Sequence, residues 1–173
     1  MTIKQILQGR WMTHPLHPAT VHVPLGVWLS SIAFDMTALV RPSGHLMQAA
    51  DYANRFALGA ALPSVLSGLA DYVDIEDQQT FNWATAHMLL NGTAAGLAVA
   101  AWKFRSEETA ARRPSAKLAV TQAALLGVLL TSGYIGGLMT YEKGMRVLPL
   151  EPSEGQRGKP VLQRQVEKLK RAA

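Results

Sequence analysis

LAVTQAALLGVLLTSGYIGGLMT, residues 118–140, decides the fold class. It contains no Asp, Glu, Lys, Arg or His. Alanine, leucine and glycine dominate it and no period-2 alternation persists, so it reads as helix rather than strand. From Ala123 to Leu130 no side chain is polar. A helix on the surface of a water-soluble bundle needs a polar stripe, and this stretch has none. Roughly 20 apolar residues cross a hydrocarbon core of about 30 Å, and the segment is long enough to do so.

Three more windows of the same kind lie upstream. They are WATAHMLLNGTAAGLAVAAW at 83–102, ANRFALGAALPSVLSGLADYV at 53–73 and TVHVPLGVWLSSIAFDMTALV at 20–40. Helix-breaking or polar connectors separate them: Arg41-Pro42-Ser43-Gly44, the acidic run 74–79, and Arg112-Arg113-Pro114-Ser115. Trp11, Tyr72, Trp83, Trp102 and Tyr141 stand near the ends, where an interfacial aromatic belt is expected. Gly92/Gly96 and Gly133/Gly137 read as close helix-packing positions. No internal repeat is visible. The expectation is an all-α, four-helix transmembrane bundle running up-down-up-down. Residues 1–19 form an entry segment, 20–141 the four-span domain, and 142–173 a polar, basic C-terminal tail, partly disordered or amphipathic. Within the tail, Val161, Leu162, Val166 and Leu169 fall near one helical face among Lys168, Lys170 and Arg171, which suits a membrane surface or a solvated tail equally.

Composition agrees. Charged residues are 17 % of the chain, against about 25 % in soluble domains. They concentrate in the 103–113 connector and the tail. There is no cysteine, which excludes disulfides, thiolate-held clusters and a thiol nucleophile. The net charge of +5 sits at span borders and in the tail, a placement that suits anionic lipid and argues against nucleic acid. The first residues lack the apolar run and cleavage site of a signal peptide. The basic third connector favours both termini outside, while the basic tail argues the reverse; four spans place both termini on one side in either case.

Ionisable groups inside spans are costly and mark candidate sites. In an up-down-up-down arrangement His14, His17, His22, Asp71, His87, Tyr141, Glu142 and Arg146 all fall at one membrane face. Asp35, Arg41, Asp51 and Arg55 fall at the other, where an Asp35–Arg55 ion pair is expected. The prolines of His14-Pro15-Leu16-His17-Pro18 disfavour regular helix before position 19. His22 and His87 then lie at similar depths on different helices and are the expected axial ligands of a b-type haem. His17, His22, Asp71, His87 and Glu142 are the alternative set for a non-haem metal. Asn91, four residues after His87, and Tyr141 are expected supporting residues. Gly68 leaves room beside Asp71. Each histidine also has a structural reading: His14 and His17 as ordinary interfacial residues, His22 as a hydrogen-bond partner of the start of its own helix, and His87 as a bridge to Asp71 or Glu142. Ser67 and Ser132 have no evident base beside them, so no catalytic residue is assigned.

HPLHPATVHVPLG at 14–26, Phe34-Asp35, SGLAD at 67–71, AHMLLN at 86–91 and GGLMTYEKG at 136–144 together resemble the bacterial membrane family catalogued as domain of unknown function 2231. The similarity runs in order from His14 to Arg146. Val23 departs from the phenylalanine the family more often has there. The resemblance implies a four-span protein of the bacterial cytoplasmic membrane. Its relatives joined to Rieske-type ferredoxin domains imply electron transfer. The positions it carries over are His17, His22, Asp71, His87, Tyr141 and Glu142. Three functions follow as expectations: a redox subunit exchanging electrons with a quinone or a docked redox protein, a non-catalytic membrane scaffold, and a metal or proton conduit through the His/Asp/Glu cluster. The lipid bilayer is the expected partner, and a homo-oligomer is compatible with the sequence.

Overall fold

Pro15 and Pro18 start a helix rather than delay one. The computed structural model describes residues 1–12, 14–107 and 111–145, and in it the first long helix begins at Leu16, with Pro15 in extended conformation as its N-cap. First-turn N–H groups have no intrahelical partner, so Pro18, at the third helical position, forfeits no bond. The hydroxyl of Thr20 donates to the Leu16 carbonyl at 3.0 Å. His17 is therefore helical, contrary to the expected extended entry.

The elements are α1 (Ile3–Leu7), α2 (Leu16–Val40), α3 (Gly44–Tyr72), α4 (Gln78–Glu107) and α5 (Ala116–Tyr141), with no strand among the described residues. Ser43 and Ser115 cap α3 and α5. Asp77 caps α4, its carboxylate accepting from the Thr80 N–H at 2.8 Å and the Thr80 hydroxyl at 2.6 Å. All four long helices extend beyond the apolar windows, α3 by nine residues at its start. The α2/α3 and α4/α5 hairpins have the closest pairings, and α3–α4 and α2–α5 contacts join the hairpins to each other. The amphipathic segment expected at 161–171 lies outside the described residues, as does Arg146.

Two helices, α2 and α5, are long and apolar enough to cross a membrane; α3 and α4 do not meet the same test of hydropathy and charge. The difference lies in the polar and charged residues inside the apolar windows, Asn54, Arg55 and Asp71 on α3 and His87 and Asn91 on α4. Trp28 and Ile32 of α2 and Leu125 and Leu129 of α5 fill the core against Ala57 of α3 and Ala94 and Ala98 of α4. The outward faces are apolar all the same: α3 exposes Phe56, Leu62, Val65, Leu66 and Leu69. The interior, by contrast, encloses Ser31, Asp35, Asn54, Ser67 and Gln122, none with any exposed surface. The expected glycine stripe Gly92/Gly96 is on the outside and touches nothing, as does Gly133, so those residues are not the sites of close helix approach.

The two hairpins follow one plan. Pro24, Trp28, Ser31 and Asp35 are buried on α2; seventy residues on, Ala94, Ala98, Ala101 and Arg105 are buried on α4. Ala50, Asn54, Ala57 and Ser64 are buried on α3; sixty-eight residues on, Leu118, Gln122, Leu125 and Ser132 are buried on α5. This is an internal structural repeat that the residue identities conceal.

Candidate functional site

The repeat brings two histidines together. His17 lies in the first turn of α2, and His87, seventy residues later, lies on α4. Their rings are nearly perpendicular, with centroids 6.4 Å apart. His17 Nδ1 is 2.8 Å from the Ser64 carbonyl oxygen of α3. His87 Nδ1 is 2.9 Å from the Ser132 carbonyl oxygen of α5. A carbonyl only accepts, so both Nδ1 atoms carry the proton, and in the neutral ring the lone pair is left on Nε2.

One turn beyond each carbonyl is a glycine facing the ring. A Cβ on Gly68 would come within 3.0 Å of His17 Cε1 and Nδ1, and one on Gly136 within 3.1 Å of His87 Cε1. Gly68 thus makes room for His17 rather than for Asp71. The hydroxyl of Ser132 adds a third partner on one side only: it donates to Asn91 Oδ1 at 2.9 Å and lies 3.0 Å from His87 Nδ1. Asn91 does orient His87, as its spacing suggested, but through Ser132. Because His87 Nδ1 donates here, it is not a base for that serine.

The histidine expected to face His87 does not. His22 is exposed on the outer surface of α2. Five residues on an α-helix rotate by about 140°, so with His17 turned inward His22 turns out, and it makes no hydrogen bond or ring contact with the described residues. The helix starts at Leu16, four residues before the apolar window at 20–40, and so carries His17 as well. The non-haem metal set is likewise dispersed: among the described residues no three His, Cys, Asp or Glu side chains lie close enough to hold a metal ion. Asp71 is buried near the end of α3. Tyr141 is 79 % exposed, and Glu142 is the exposed C-cap of α5. His14 is exposed.

Beyond Asp71 the same end opens into a cavity of about 610 Å³ lined in part by Lys4, Asp74, Asp77 and Lys143. Lys4 pairs with Asp74, and Gln8 of the N-terminal segment donates to the Ala70 carbonyl at 2.8 Å. The Thr80 hydroxyl and N–H, with help from Lys143, hold the Asp77 carboxyl below the usual carboxylate range.

At the opposite end the equivalent positions hold an ion pair. Asp35 of α2 pairs with Arg105 of α4, and both are buried. Gln122 of α5 donates to Asp35 Oδ2. Arg105 Nη2 donates to the Ser31 hydroxyl at 3.3 Å. Arg55 is not the partner of Asp35: it pairs with Asp51 at 2.6 Å, one turn earlier on its own helix. Asn54 reaches across to the Ala98 carbonyl at 2.8 Å.

No curated protein and no solved structure matches the chain. The model of a family described as "Predicted membrane protein (DUF2231)" matches residues 13–149. That region includes both imidazoles, both glycines and the buried ion pair, and the chain therefore belongs to this family of predicted membrane proteins.

Proposed function

We propose that the protein is a four-span membrane bundle that holds one b-type haem iron between His17 and His87 and serves electron transfer. Family membership supports the membrane setting, and so does the inside-out pattern, with polar side chains enclosed and apolar ones displayed on all four long helices. The observation that carries the haem reading is the imidazole pair. Two metal–nitrogen bonds of about 2 Å, plus the distance from each nitrogen to its ring centre, place the centroids of two axial imidazoles roughly 6 Å apart. The observed 6.4 Å suits that arrangement. Haem also asks for two protein ligands rather than three or more, and for Nδ1–H groups anchored on carbonyls so that Nε2 is the donor atom. Both histidines meet the second requirement.

In this reading His17 and His87 are the ligands, replacing the His22–His87 pair expected from sequence. The Ser64 and Ser132 carbonyls fix ring orientation, and Gly68 and Gly136 admit the rings. A bound haem supplies a one-electron iron couple. A quinone or a docked redox protein is the electron partner the reading calls for, at the end where the chain enters.

The test is an absorption spectrum of detergent-purified protein from haem-replete cells, before and after dithionite. The expected result is a Soret band with reduced α and β bands, lost in His17→Ala and in His87→Ala and kept in His22→Ala. Colourless wild-type protein with intact thermal unfolding refutes it. That outcome leaves the second reading, a non-catalytic scaffold, which the two histidine-to-carbonyl bonds across helices also favour.

A further inference from the structure

The segment ahead of α2 has two unlike sides, and its contacts fix where each one turns. At 3.6 residues per turn, Ile3, Ile6 and Leu7 fall on one side of α1, and Lys4 and the C-cap Gln8 on the other.

The polar side is tied down. Lys4 pairs with Asp74. The buried side chain of Gln8 donates to the Ala70 carbonyl at 2.8 Å and to Asp74 Oδ2 at 2.5 Å, and accepts from Arg10 Nε at 3.0 Å. Gly9 then turns the chain back toward α2. Its φ is +72°, and a Cβ there would meet the Leu16 nitrogen at 2.7 Å and the His14 carbonyl oxygen at 3.0 Å, so only glycine fits this turn. The Trp11 indole N–H donates to the Ile6 carbonyl at 3.2 Å and holds its ring beside α1.

The apolar side is left uncovered. Ile3 is 78 % exposed, Trp11 59 % and Ile6 47 %. A pinned segment that buries a glutamine and displays two isoleucines and a tryptophan is inverted for a fragment surrounded by water. Its two sides adjoin different media. Lys4 and Arg10 line the cavity that also has Asp74, Glu76, Asp77 and Lys143 in its wall, and a cavity ringed by charge opens to water. The apolar side continues the outward face of α3, the helix on which α1 packs, whose last turns expose Leu66, Leu69 and Val73.

We infer that residues 1–11 form an in-plane membrane anchor whose partner is the lipid surface. Ile3, Ile6 and Trp11 enter the upper acyl-chain layer, and Lys4 and Arg10 stay on the water side. The inference rests on the membrane setting proposed above and not on the haem. It also sets a depth for the imidazoles. Gln8 holds the Ala70 carbonyl and His17 the Ser64 carbonyl, and the residues between them span about 9 Å of helix at 1.5 Å per residue. The histidine pair thus lies about that far below the anchor.

The chain has no cysteine, so single cysteines can carry an environment-sensitive nitrobenzoxadiazole label. Ile3→Cys, Ile6→Cys, Leu62→Cys and Glu76→Cys are made in the full chain and reconstituted into phosphatidylcholine vesicles. The vesicles contain lipid with a quenching doxyl group either high or low on the acyl chain. Leu62, exposed deep in α3, reports on the spans, and Glu76, exposed at the cavity, reports on water. Labels at positions 3 and 6 are expected to emit to the blue of the label at 76. They should lose more intensity to the high doxyl group than to the low one, as for an anchor buried about 5–10 Å at the headgroup boundary. The label at 62 should show the reverse preference. Emission at 3 and 6 that matches position 76 overturns the inference. A blue-shifted label that neither lipid quenches also overturns it, because a protein surface then covers this face. If position 62 too behaves like 76, the membrane-spanning reading itself fails, which separates that failure from failure of the anchor alone.

Discussion

The two ends of the helix core occupy equivalent positions of the two hairpins and are built differently. At one end the repeat keeps the same residue twice, and two imidazoles meet at nearly a right angle. At the other end it has diverged to Asp35 and Arg105, and the two positions complete each other. Like residues on both sides of an interface leave each side with unspent capacity, here a ring nitrogen apiece. Unlike charges consume it. The contrast separates an end suited to hold something between the hairpins from an end suited to hold the hairpins together. A buried ion pair is weak evidence for net stability compared with an apolar core, but removing one partner strands the other.

The sharpest way to break the comparison is at the charged end. Asp35→Ala leaves Arg105 buried without its counter-ion and is expected to cost about 3–5 kcal/mol, read as a lowered unfolding midpoint in detergent. Exchanging the charges, Asp35→Arg with Arg105→Asp, should recover part of that loss if the pair acts as a lock rather than through its surroundings.

Next come the glycines of the histidine end. A Cβ at Gly68 or Gly136 meets a ring at 3.0–3.1 Å, so Gly68→Ala and Gly136→Ala should each cost about 1–3 kcal/mol through overpacking. Each should also shift the imidazole ring signals in NMR spectra of histidine-labelled protein. His17→Ala and His87→Ala should cost less, about 1 kcal/mol for the hydrogen bond removed. Their main effect is on whatever the pair binds. His22→Ala, on the outer face, should change neither.

The smallest effect lies outside the helix core, at Asp77. Thr80 lowers its carboxyl group below the ordinary aspartate value, so its cap bond stabilises the folded chain above that value, near 4, and is lost as pH falls through the lowered one. Asp77→Ala should therefore reduce the midpoint slightly at neutral pH and leave it nearly unchanged in strong acid. An equal loss at both would show that the carboxylate charge is not the source.

Helical class and the four apolar segments were legible because Ala/Leu-rich runs without alternation carry their own signal. Less legible was that α3 and α4 fall short of the hydropathy that α2 and α5 reach, since a few polar residues, Asn54, Arg55 and Asp71 on one and His87 and Asn91 on the other, are enough to lower an otherwise apolar run. His87 and its Asn91 neighbour were legible from helical spacing. His17 falls in the expected metal set but not in the expected haem pair, because the two prolines beside it argue against helix, and only its place in the first turn makes Pro18 harmless. Arg105 was read as a connector charge; its counterpart Asp35 was seen, but a guanidinium arriving from a different hairpin leaves no mark in local spacing. The repeat was hidden because Trp28 matches Ala98 and Ala57 matches Leu125: large residues on one hairpin answer small ones on the other.

The tie between the Ser43 N–H and the Arg112 carbonyl, 2.6 Å long, bears on how the molecule can open. With Asp35–Arg105 and Asn54–Ala98, it fastens hairpin to hairpin toward the far end. At the histidine end the Tyr72 hydroxyl meets that of Thr85, joining α3 to α4, whereas among the described residues no hydrogen bond or ion pair joins α2 to α5 there. The hairpins are thus hinged like tweezers, pinned at one tip and along one edge. The edge between α2 and α5 beside the imidazoles is thus the one where the fewest polar ties among the described residues hold hairpin to hairpin.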